Sequence, residues 1–417
     1  LIKLGNFDVI LTNPPFGKNI KVTGKDKLMQ YELAKKMKGD QVTNSYVSEG
    51  NVSTLFLERD LQLLKPGGRL GIILPETYFH APSQRRVFDF LFEGNNVYYV
   101  VDLPQNTFRP YNNAKCIIVF VQKGRPQQEY INMAVAEEVG HNHLGEPMYR
   151  FDENGGISNV LWDDIERIQD ELSHPEEEGE YTFAVKADLV KERHILVPRY
   201  YWNTRFDDLE RMADEMGMGL VSMQQLIDEG VITTFDGNGS PEAQFKGTGE
   251  IPYIRVKDIV NWQVYTDVTS LIPNSEYERL FRADKQLMPK DILYVRRGSY
   301  RIGSVAMVSP YNLKCILTRE ILVIRVIDLK NKYGITPEYL LYALSHKITF
   351  EESKNKIFID TTLPNIAERW KEVKIPYFKD EFKYENIKKM CEEIVQNHWK
   401  ATEDIEEFRK KYDVYCV

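Results

Sequence analysis

The first third of the chain alternates short apolar runs with segments of helical periodicity. The apolar runs end at turn-forming residues, which is typical of buried strands. The pattern predicts strands over residues 7–12, 70–74, 97–102 and 115–121, and helices over residues 54–64 and 83–92. Ser53 is the predicted N-cap of the first of these helices. Strands that alternate with helices predict an α/β fold built on a parallel sheet.

Residues 18–50 contain seven lysines without a clear period, and we predict a mobile loop there.

An acidic stretch divides the middle of the chain. Residues 151–192 are predicted to be a solvated connection that contains one helix, over residues 160–172. Residues 193–380 are predicted to form a second, α+β domain. Its pattern gives strands over residues 302–309 and 316–327, a helix over residues 337–347 and a loop over residues 360–366.

The C-terminal residues 381–417 are predicted to form a long helix with a regular apolar seam. The seam positions are spaced alternately four and three residues apart: Ile387, Cys391, Ile394, His398, Ala401, Ile405, Phe408 and Tyr412. This is the heptad spacing of a helix that packs against another helix. A single amphipathic helix packed on its own domain produces a similar pattern, so the spacing alone does not separate the two interpretations.

Length, charge and cysteine content restrict the class of protein. A chain of 417 residues has room for two or three domains, and its net charge is −8. The acidity is local, because residues 1–150 carry +3, residues 151–192 carry −10 and residues 193–417 carry −1. Either flank can therefore present a basic groove to DNA. The four cysteines form no Cys-x-x-Cys pair, so we expect no metal site and a protein of the reducing cytoplasm. We also expect no membrane span, because no stretch reaches the ~18 uninterrupted apolar residues that a span needs.

The strongest chemical signal is Asn13-Pro14-Pro15-Phe16, which directly follows the first predicted strand. Two prolines stiffen the turn and lack N–H groups. The side-chain oxygen of Asn13 and the carbonyl of Pro14 can then accept both hydrogens of an amino group. Phe16 offers a flat face to an aromatic base. The alternative is an ordinary proline-rich turn at a strand end.

Residues Phe7 to Gly17 resemble the catalytic motif of the gamma class of DNA adenine-N6 methyltransferases. Residues 55–75 are similar to the next helix and strand of that family, and Thr107-Phe-Arg-Pro through Phe120 is similar to its later aromatic motif. By this resemblance, residues 1–150 are the C-terminal, catalytic part of a Rossmann-like methyltransferase domain, as in a type I modification subunit.

This resemblance implies a mechanism and the residues that perform it. Asn13 and Pro14 would hold the amine of an adenine flipped out of the duplex, and Phe16 and Phe108 would stack on its two faces. A plain core aromatic is the alternative for Phe108, and Tyr111 is a further candidate. The methyl donor is expected to be S-adenosyl-L-methionine. No covalent enzyme intermediate is needed.

The cofactor site is the weakest part of this prediction. Family members bind S-adenosylmethionine mainly through a glycine-rich turn and acidic residues that precede the catalytic motif, and only one short strand precedes Asn13 here. We therefore expect a fragment with an incomplete cofactor pocket, whose cofactor-binding residues lie mostly upstream of Leu1. The strand and glycine-rich turn at residues 231–240 are an alternative site, which would imply the beta-class order of motifs. No helix is predicted after that turn, and such a site needs a helix N-terminus.

Residues 193–380 resemble the target-recognition domain of type I restriction-modification specificity subunits. The resemblance rests on four runs in order: Ile251-Pro-Tyr-Ile-Arg255, Asp291-Ile-Leu293, Arg297-Gly-Ser299 and Pro364-Asn-Ile366. It implies contact with double-stranded DNA, for which the candidate residues are Arg255, Arg296, Arg297, Arg301 and Lys356. The lysines of residues 18–38 are expected to contact phosphates. The long helices of specificity subunits favour a helix–helix partner for residues 387–412.

These features predict a site-specific DNA adenine-N6 methyltransferase of a restriction-modification system, with a fused DNA specificity domain. A restriction subunit or an upstream nuclease domain is a candidate partner. Two alternatives remain open. One is an RNA or protein methyltransferase that uses the same pocket, and the other is a DNA-recognition module whose catalytic part is inactive.

Overall fold

The computed structural model describes residues 3–17, 20–39, 41–174, 179–202, 204–298, 300–360 and 363–414, without the side chains of residues 204–207, 360 and 381. Internal contacts divide the chain into two units. The first contains the residues up to 203 together with 359–362, and the second contains residues 204–358 and 363–417. Residues 193–202 thus pack with the first unit and not with the predicted second domain. The division of functions between the units stays a prediction.

The first unit contains every strand and helix predicted between residues 7 and 121. Its strands are β1 (Phe7–Thr12), β2 (Lys21–Thr23), β3 (Lys35–Lys38), β4 (Gln41–Tyr46), β5 (Glu49–Asn51), β6 (Leu64–Pro75), β7 (Asn95–Asp102), β8 (Cys116–Lys123), β9 (Tyr130–Val135), β10 (Tyr149–Phe151), β11 (Ile157–Leu161) and β12 (Thr182–Lys186). Its α-helices are α1 (Lys25–Leu28), α2 (Val52–Leu63), α3 (Arg85–Phe92), α4 (Ile165–Ser173) and α5 (Ala187–Arg193). Short 3-10 helices lie at Glu32–Ala34, Glu76–Phe79, Pro82–Gln84 and Pro198–Tyr201.

A six-stranded sheet in the order β1-β6-β8-β7-β9-β12 forms the centre of the first unit. The pairs β1–β6 and β7–β9 are parallel, whereas β6–β8, β8–β7 and β9–β12 are antiparallel. The prediction of a parallel sheet was therefore wrong. Residues 103–115 join β7 directly to β8 without a crossover helix, so these neighbouring strands run in opposite directions.

β1 is an edge strand and not the buried strand that its apolar composition predicts. The side chains of Val9 and Leu11 are 59% and 76% exposed. Its partner β6 approaches closely, because a Cβ on Gly71 would lie 2.7 Å from Leu11 and 3.1 Å from Phe120. An exposed apolar edge of this kind is a template for pairing with a further strand.

Residues 20–51 are folded, so the prediction of a mobile loop for this region was wrong where the structure describes it. β2 pairs with β5, and β3 pairs with β4. Leu28 is buried against Leu55 of α2, and two backbone N–H groups donate to the carboxylate of Glu58 at 2.7 and 2.8 Å. The composition of the segment, which is rich in lysine, gave no indication of these few stabilising contacts.

The acidic stretch is part of the first unit and not only a connection. β12 completes the sheet against β9. The predicted helix is present as α4, and its Ile168 packs against Val101 and Ala134 of the sheet. A solvated linker would not bury apolar side chains in this way, so that interpretation of residues 151–192 needs correction.

The second unit contains the strands β13 (Met218–Ser222), β14 (Ile232–Asp236), β15 (Tyr253–Ile254), β16 (Ile259–Val260), β17 (Gln263–Val264), β18 (Ile292–Val295), β19 (Val305–Met307), β20 (Ile316–Leu317), β21 (Ile321–Val326), β23 (Leu363–Asn365) and β24 (Lys374–Phe378), with β22 (Phe358–Asp360) at its boundary. Its α-helices are α6 (Thr204–Glu215), α7 (Met223–Asp228), α8 (Asn274–Leu280), α9 (Pro337–Ser345), α10 (Lys347–Lys354) and α11 (Glu381–Tyr412). Short 3-10 helices lie at Ala243–Phe245, Val256–Asp258, Val268–Ser270, Ala283–Lys285 and Ala367–Glu372.

An antiparallel sheet in the order β14-β21-β18-β19 forms the centre of the second unit. Alternate residues of β18 enter two different cores. Ile292 packs with Tyr339 of α9, whereas Leu293 packs with Ile254 on the other face. Both faces of the sheet are therefore covered. Residues Leu363–Asn365 form β23, where the sequence pattern had predicted a loop over residues 360–366.

The two halves of α11 have different surroundings. Cys391 and Val395 are buried against the second unit, whereas the seam residue Ile394 is 40% exposed. Towards the C-terminus, Phe408 and Tyr412 are 52% and 57% exposed. The amphipathic interpretation therefore describes the first half of the helix, and a helix partner stays a prediction for the second half.

Within the part of the chain that the structure describes, no helix is long and apolar enough to cross a membrane. Over the same residues, no cluster of His, Cys, Asp and Glu side chains is suited to hold a metal ion. Cys116, Cys315 and Cys391 are free thiols in buried positions.

Candidate functional site

The turn of Asn13 to Phe16 lies at the end of β1 and is tied to α2. Asn13 is exposed and Pro14 is buried. The hydroxyl of Ser53, in the first turn of α2, donates to the carbonyl of Pro15 at 3.2 Å. This hydrogen bond and the two proline rings hold the turn in one extended shape.

Asn51, and not the predicted Ser53, caps α2. The side-chain oxygen of Asn51 accepts from the N–H of Ser53 at 2.9 Å and from the hydroxyl of Tyr78 at 3.0 Å. Burial raises the pKa of Tyr78, which keeps the phenol a hydrogen-bond donor. Because Asn51 takes the capping role, the Ser53 hydroxyl is free to hold the carbonyl of Pro15.

Phe16 and Phe108 meet edge to face, although they lie far apart in the sequence. Their ring centroids are 5.2 Å apart and their planes are inclined by 67°. Both side chains are only half-buried, which disfavours the core-aromatic alternative for Phe108. The two rings that the resemblance assigned to one base thus stand next to each other. Their role in stacking stays a prediction.

Phe108 lies on the loop of residues 103–115, which has hydrogen bonds of its own. The side-chain amide of Gln105 donates across the loop to the carbonyl of Asn113 at 2.8 Å. The N–H of Asn112 donates to the carbonyl of Phe108 at 2.9 Å. Tyr111, at the tip, is 97% exposed. The loop therefore presents Phe108 to Phe16 and leaves Tyr111 in solvent.

An open cleft of about 370 Å³ adjoins Asn13. It is lined by Leu11, Thr12, Asn13, Gly71, Ile73, Ile118 and Phe120. These residues come from the ends and one face of β1, β6 and β8, and all but Thr12 and Asn13 are apolar. The size and the apolar lining are typical of sites for small molecules or flat rings.

The turn carries two hydrogen-bond acceptors, and one of the two residues, Asn13, lines this cleft. Among the described residues, no N–H or O–H group donates to the side-chain oxygen of Asn13 or to the carbonyl of Pro14. One amide oxygen and one carbonyl match the two hydrogens of an amino group. Because the turn is held rigidly, the acceptors need little reorganisation to bind such a group.

The described lining of the cleft offers few groups that could hold S-adenosylmethionine. It contains no carboxylate for ribose hydroxyls, and its polar side chains are only Thr12 and Asn13. That most of the cofactor-binding residues lie upstream of Leu1 stays a prediction.

The alternative cofactor site at residues 231–240 fits worse. The N–H groups of Gly237 and Gly239 already donate to carbonyls of the second unit, at 3.0 and 3.1 Å. The next helical element is only the 3-10 helix Ala243–Phe245. A glycine-rich turn without free N–H groups and without a following α-helix lacks the features that bind a phosphate or carboxylate group.

Two of the predicted DNA-contacting arginines take part in ion pairs within the second unit. Arg255 lies 2.6 Å from Asp267, and Arg296 lies 2.9 Å from Asp236. The side chain of Arg296 is only 17% exposed. A base contact by either arginine would have to compete with these carboxylates.

The other three candidates differ in exposure. Arg297 is exposed, and Arg301 donates to the carbonyl of Ile259 at 3.1 Å. Lys356 is buried, and its ammonium lies 3.1 Å from the buried carboxylate of Glu352. A buried ammonium cannot reach a phosphate or a base, so we do not retain Lys356 as a DNA contact.

A group of four charged residues that was not predicted from the sequence lies beside the loop of residues 103–115. They are Glu76, Asp102, Lys115 and Arg199, and the first three are at most 6% exposed. Asp102 ends the apolar run of β7, and Lys115 precedes the apolar run of β8. A charged residue next to the apolar run of each of these two buried strands was the signal that could have revealed the cluster.

Comparison with known proteins points to the same region of the chain. Residues 2–108 match the family described as Eco57I restriction-modification methylase, a span that includes both the Asn13 turn and Phe108. Over 123 residues the chain is 32% identical to the type I restriction enzyme EcoEI methylase subunit of Escherichia coli. That similarity covers 29% of this chain and 22% of the relative, so the chain spans less than a quarter of the relative's length there.

Solved structures show weaker similarity. One is the type I restriction-modification system methyltransferase subunit from Streptococcus thermophilus, at 18% identity over 46% of this chain and 37% of that chain, with a TM-score of 0.33. Another is the type IIG restriction endonuclease BpuSI, at 12% identity over 93% of this chain and 49% of that chain, with a TM-score of 0.41. Both scores are too low to establish a shared overall fold.

Proposed function

We propose that this chain handles the target base in an S-adenosylmethionine-dependent DNA methyltransferase of a restriction-modification system, and that the base is adenine, methylated at N6. The observation that carries the proposal is the pair of free acceptors at Asn13 and Pro14, next to the rings of Phe16 and Phe108. The match of residues 2–108 to a methylase family supports the reaction class.

The residues of the turn act on the accepting base. S-adenosylmethionine, when bound, supplies an electrophilic methyl group. The amine of adenine is a poor nucleophile because its lone pair is delocalised into the ring. Asn13 and Pro14 accept its two hydrogens and so favour the geometry in which the lone pair is available. Methylation leaves the amine nitrogen positively charged, and the nitrogen then releases one proton to water, because the amide oxygen of Asn13 accepts hydrogen bonds but is too weak a base to take the proton.

The aromatic rings retain the base outside the duplex. Stacking on one aromatic side chain stabilises a base by roughly 1–3 kcal/mol, which offsets part of the cost of unstacking it from the duplex. Phe16 follows β1, Phe108 lies on the loop between β7 and β8, and the two rings offer two such surfaces. Within the same proposal, the second unit recognises the DNA sequence, with Arg297 as the exposed arginine among the candidates, and the exposed half of α11 binds a partner subunit.

A product analysis tests the proposal. The complete protein is incubated with duplex DNA and isotope-labelled S-adenosylmethionine, and the digested nucleosides are separated by mass spectrometry. We expect the label in N6-methyladenine. Label in N4-methylcytosine would be consistent with methyl transfer to an exocyclic amine in this pocket but would overturn adenine as the target base. Label in RNA or in protein alone, or no label in any substrate, would overturn the function itself.

A further inference from the structure

A cluster of four charged side chains, three of them buried, lies in the first unit beside the loop that carries Phe108. Glu76 directly follows β6, Asp102 ends β7, and Lys115 directly precedes β8. Arg199 belongs to the 3-10 helix Pro198–Tyr201, and its side chain is 28% exposed. The cluster holds two positive and two negative groups, so it can be neutral as a whole while every member is charged.

Asp102 is the centre of the cluster. Its carboxylate accepts from the ammonium of Lys115, and from Nε and Nη2 of Arg199 at 3.1 and 3.4 Å. Burial alone would raise the pKa of Asp102, but Arg199 and Lys115 outweigh burial and hold that pKa below its ordinary value. The carboxylate of Glu76 lies 4.0 Å from Lys115. Asp102 is therefore an anion with two cationic partners.

These contacts join the two ends of the loop of residues 103–115, and we call the place where the ends meet the neck of the loop. The ammonium of Lys115, the last residue of the loop, also donates to the carbonyl of Leu103, its first residue. The N–H of Leu103 donates to the carbonyl of Cys116 at 3.2 Å. The N–H of Glu76 donates to the carbonyl of Lys115 at 2.9 Å, which ties the neck to the end of β6.

Stability alone does not account for such a cluster. Taking charges out of water costs several kcal/mol per ion, and apolar side chains of similar volume often give equal or greater stability. What the cluster supplies is a defined position, because each ion has a fixed partner. The hydrogen bonds within the loop make it one body, so a shift at the neck is carried to Phe108.

We propose that Lys115, Asp102 and Arg199, with Glu76, are positioning residues that set the location of Phe108 relative to the Asn13 turn. The inference rests on the proposed function, since it assigns Phe108 to the flipped base. The cluster does not touch the base. It acts through the loop: a fixed neck fixes the backbone at Phe108, and only the ring of Phe108 turns aside to admit the base.

The test uses a charge-balanced variant of the complete protein, Asp102→Asn with Lys115→Met, which leaves Glu76 and Arg199 to balance each other. We expect kcat to fall about 10- to 100-fold, as for a small misplacement of a reacting group, with KM for DNA little changed. The fluorescence of 2-aminopurine at the target position should change in the same variant. The matched control is Arg86→Met with Glu93→Gln, an ion pair of the same unit at α3, which should leave both readouts unchanged.

Hydrogen exchange separates this inference from the proposed function, because it needs neither DNA nor methyl transfer. Amides of residues 103–115 should exchange about tenfold faster in the charge-balanced variant than in the wild type. Unchanged exchange together with an unchanged kcat would overturn the inference. If the wild type methylates no substrate, the proposed function fails, and the exchange result still decides whether the cluster holds the loop.

A milder variant covers the case in which the charge-balanced protein does not fold. Arg199→Lys keeps the positive charge but loses the second nitrogen that contacts Asp102. We expect a smaller decrease of kcat and a partial loss of amide protection in the loop. A folded Arg199→Lys protein with wild-type kcat and wild-type protection would also overturn the inference.

Discussion

The rings of Phe16 and Phe108 are in contact, with centroids 5.2 Å apart and planes inclined by 67°. A base stacked between two parallel rings needs roughly 7 Å from ring to ring, since each stacking contact spans about 3.5 Å. The observed pair is therefore closed, and the base can enter only if one ring moves. Phe108 is the better candidate for movement, because it lies on a loop, whereas Phe16 follows the stiff double-proline turn.

Removal of the Phe108 ring tests this arrangement. Phe108→Ala should weaken retention of the flipped base by about 1–3 kcal/mol, the usual value of one stacking partner. The change is read from 2-aminopurine fluorescence at the target adenine in a DNA complex. Tyr111→Ala is the matched control, because Tyr111 lies on the same loop but is 97% exposed. Equal effects of the two variants would show that Phe108 has no special place in the site.

A buried carboxyl of α2 should make stability depend on pH. Asp60 is 6% exposed, and burial raises its pKa from 3.8 to about 6. The folded state therefore binds the proton more tightly than the unfolded state, and the contribution of this group to stability is lost as pH rises from about 4 to about 6. Above pH 6 the buried charge remains as a penalty on the order of 1–3 kcal/mol.

Asp60→Asn removes that penalty. In urea titrations the variant should match the wild type near pH 4 and exceed its free energy of unfolding at pH 8 by about 1–3 kcal/mol. Asp188→Asn, at an exposed site on α5, serves as the control and should give no such difference. A variant less stable than the wild type at pH 8 would mean that Asp60 has an undetected charged partner.

The basic residues considered as DNA contacts differ in solvent exposure, and we therefore expect different effects when they are replaced. Arg297→Ala should weaken binding to the recognised sequence by about 1–3 kcal/mol if the arginine contacts a base, with less effect on unrelated DNA. Lys356→Met should leave affinity unchanged and lower the melting temperature, because it strands the buried carboxylate of Glu352. Fluorescence anisotropy at fixed salt measures the affinities. The opposite pattern would place recognition on another surface.

Local patterns in the sequence predicted β1, α2, β6, α3, β7 and β8 of the first unit, and the reasons are visible in particular residues. The apolar runs of β7 and β8 and the helical spacing of α2 are short-range signals. The capping of α2 was assigned to the wrong residue, because Ser53 and Asn51 are both good cap formers and only Tyr78 shows which one is used. The proximity of Phe16 and Phe108 could be anticipated only through resemblance to a family.

The features that were predicted wrongly, or not at all, depend on contacts between residues far apart in the sequence. The directions of β7 and β8 follow from the absence of a helix in residues 103–115, which the alternating pattern did not weigh. The exposure of Leu11 depends on the place of β1 at the edge of the sheet, and a single apolar run carries no information about its neighbours. The ion cluster joins residues from four separate segments, from Glu76 to Arg199, so no local window contains it.

The exposed half of α11 should determine assembly. Ile405→Asp with Phe408→Asp places charges on side chains that are 42% and 52% exposed, so the fold should tolerate them. If this face binds a partner helix, light scattering with candidate subunits should show the complex lost while the melting temperature is kept. Val395→Asp, at a buried position, should instead lower the melting temperature. If the double variant assembles like the wild type, the heptad spacing of the second half of α11 does not mark a partner-binding face.

The central assignment is tested at Asn13. Asn13→Ala removes one of the two acceptors for the adenine amine and leaves both prolines and the Ser53 contact in place. The loss of one preorganised group at a reacting centre costs about 3 kcal/mol or more, so single-turnover methylation should slow about 100-fold or further. Binding to DNA should change little, since most affinity comes from phosphate contacts elsewhere. Ser53→Ala should have a smaller effect, because Ser53 supports the turn through the carbonyl of Pro15 and is not itself one of the two acceptors. If Asn13→Ala methylates DNA at the wild-type rate, the chemistry takes place outside this turn, and the acceptor pair of Asn13 and Pro14 has no catalytic part.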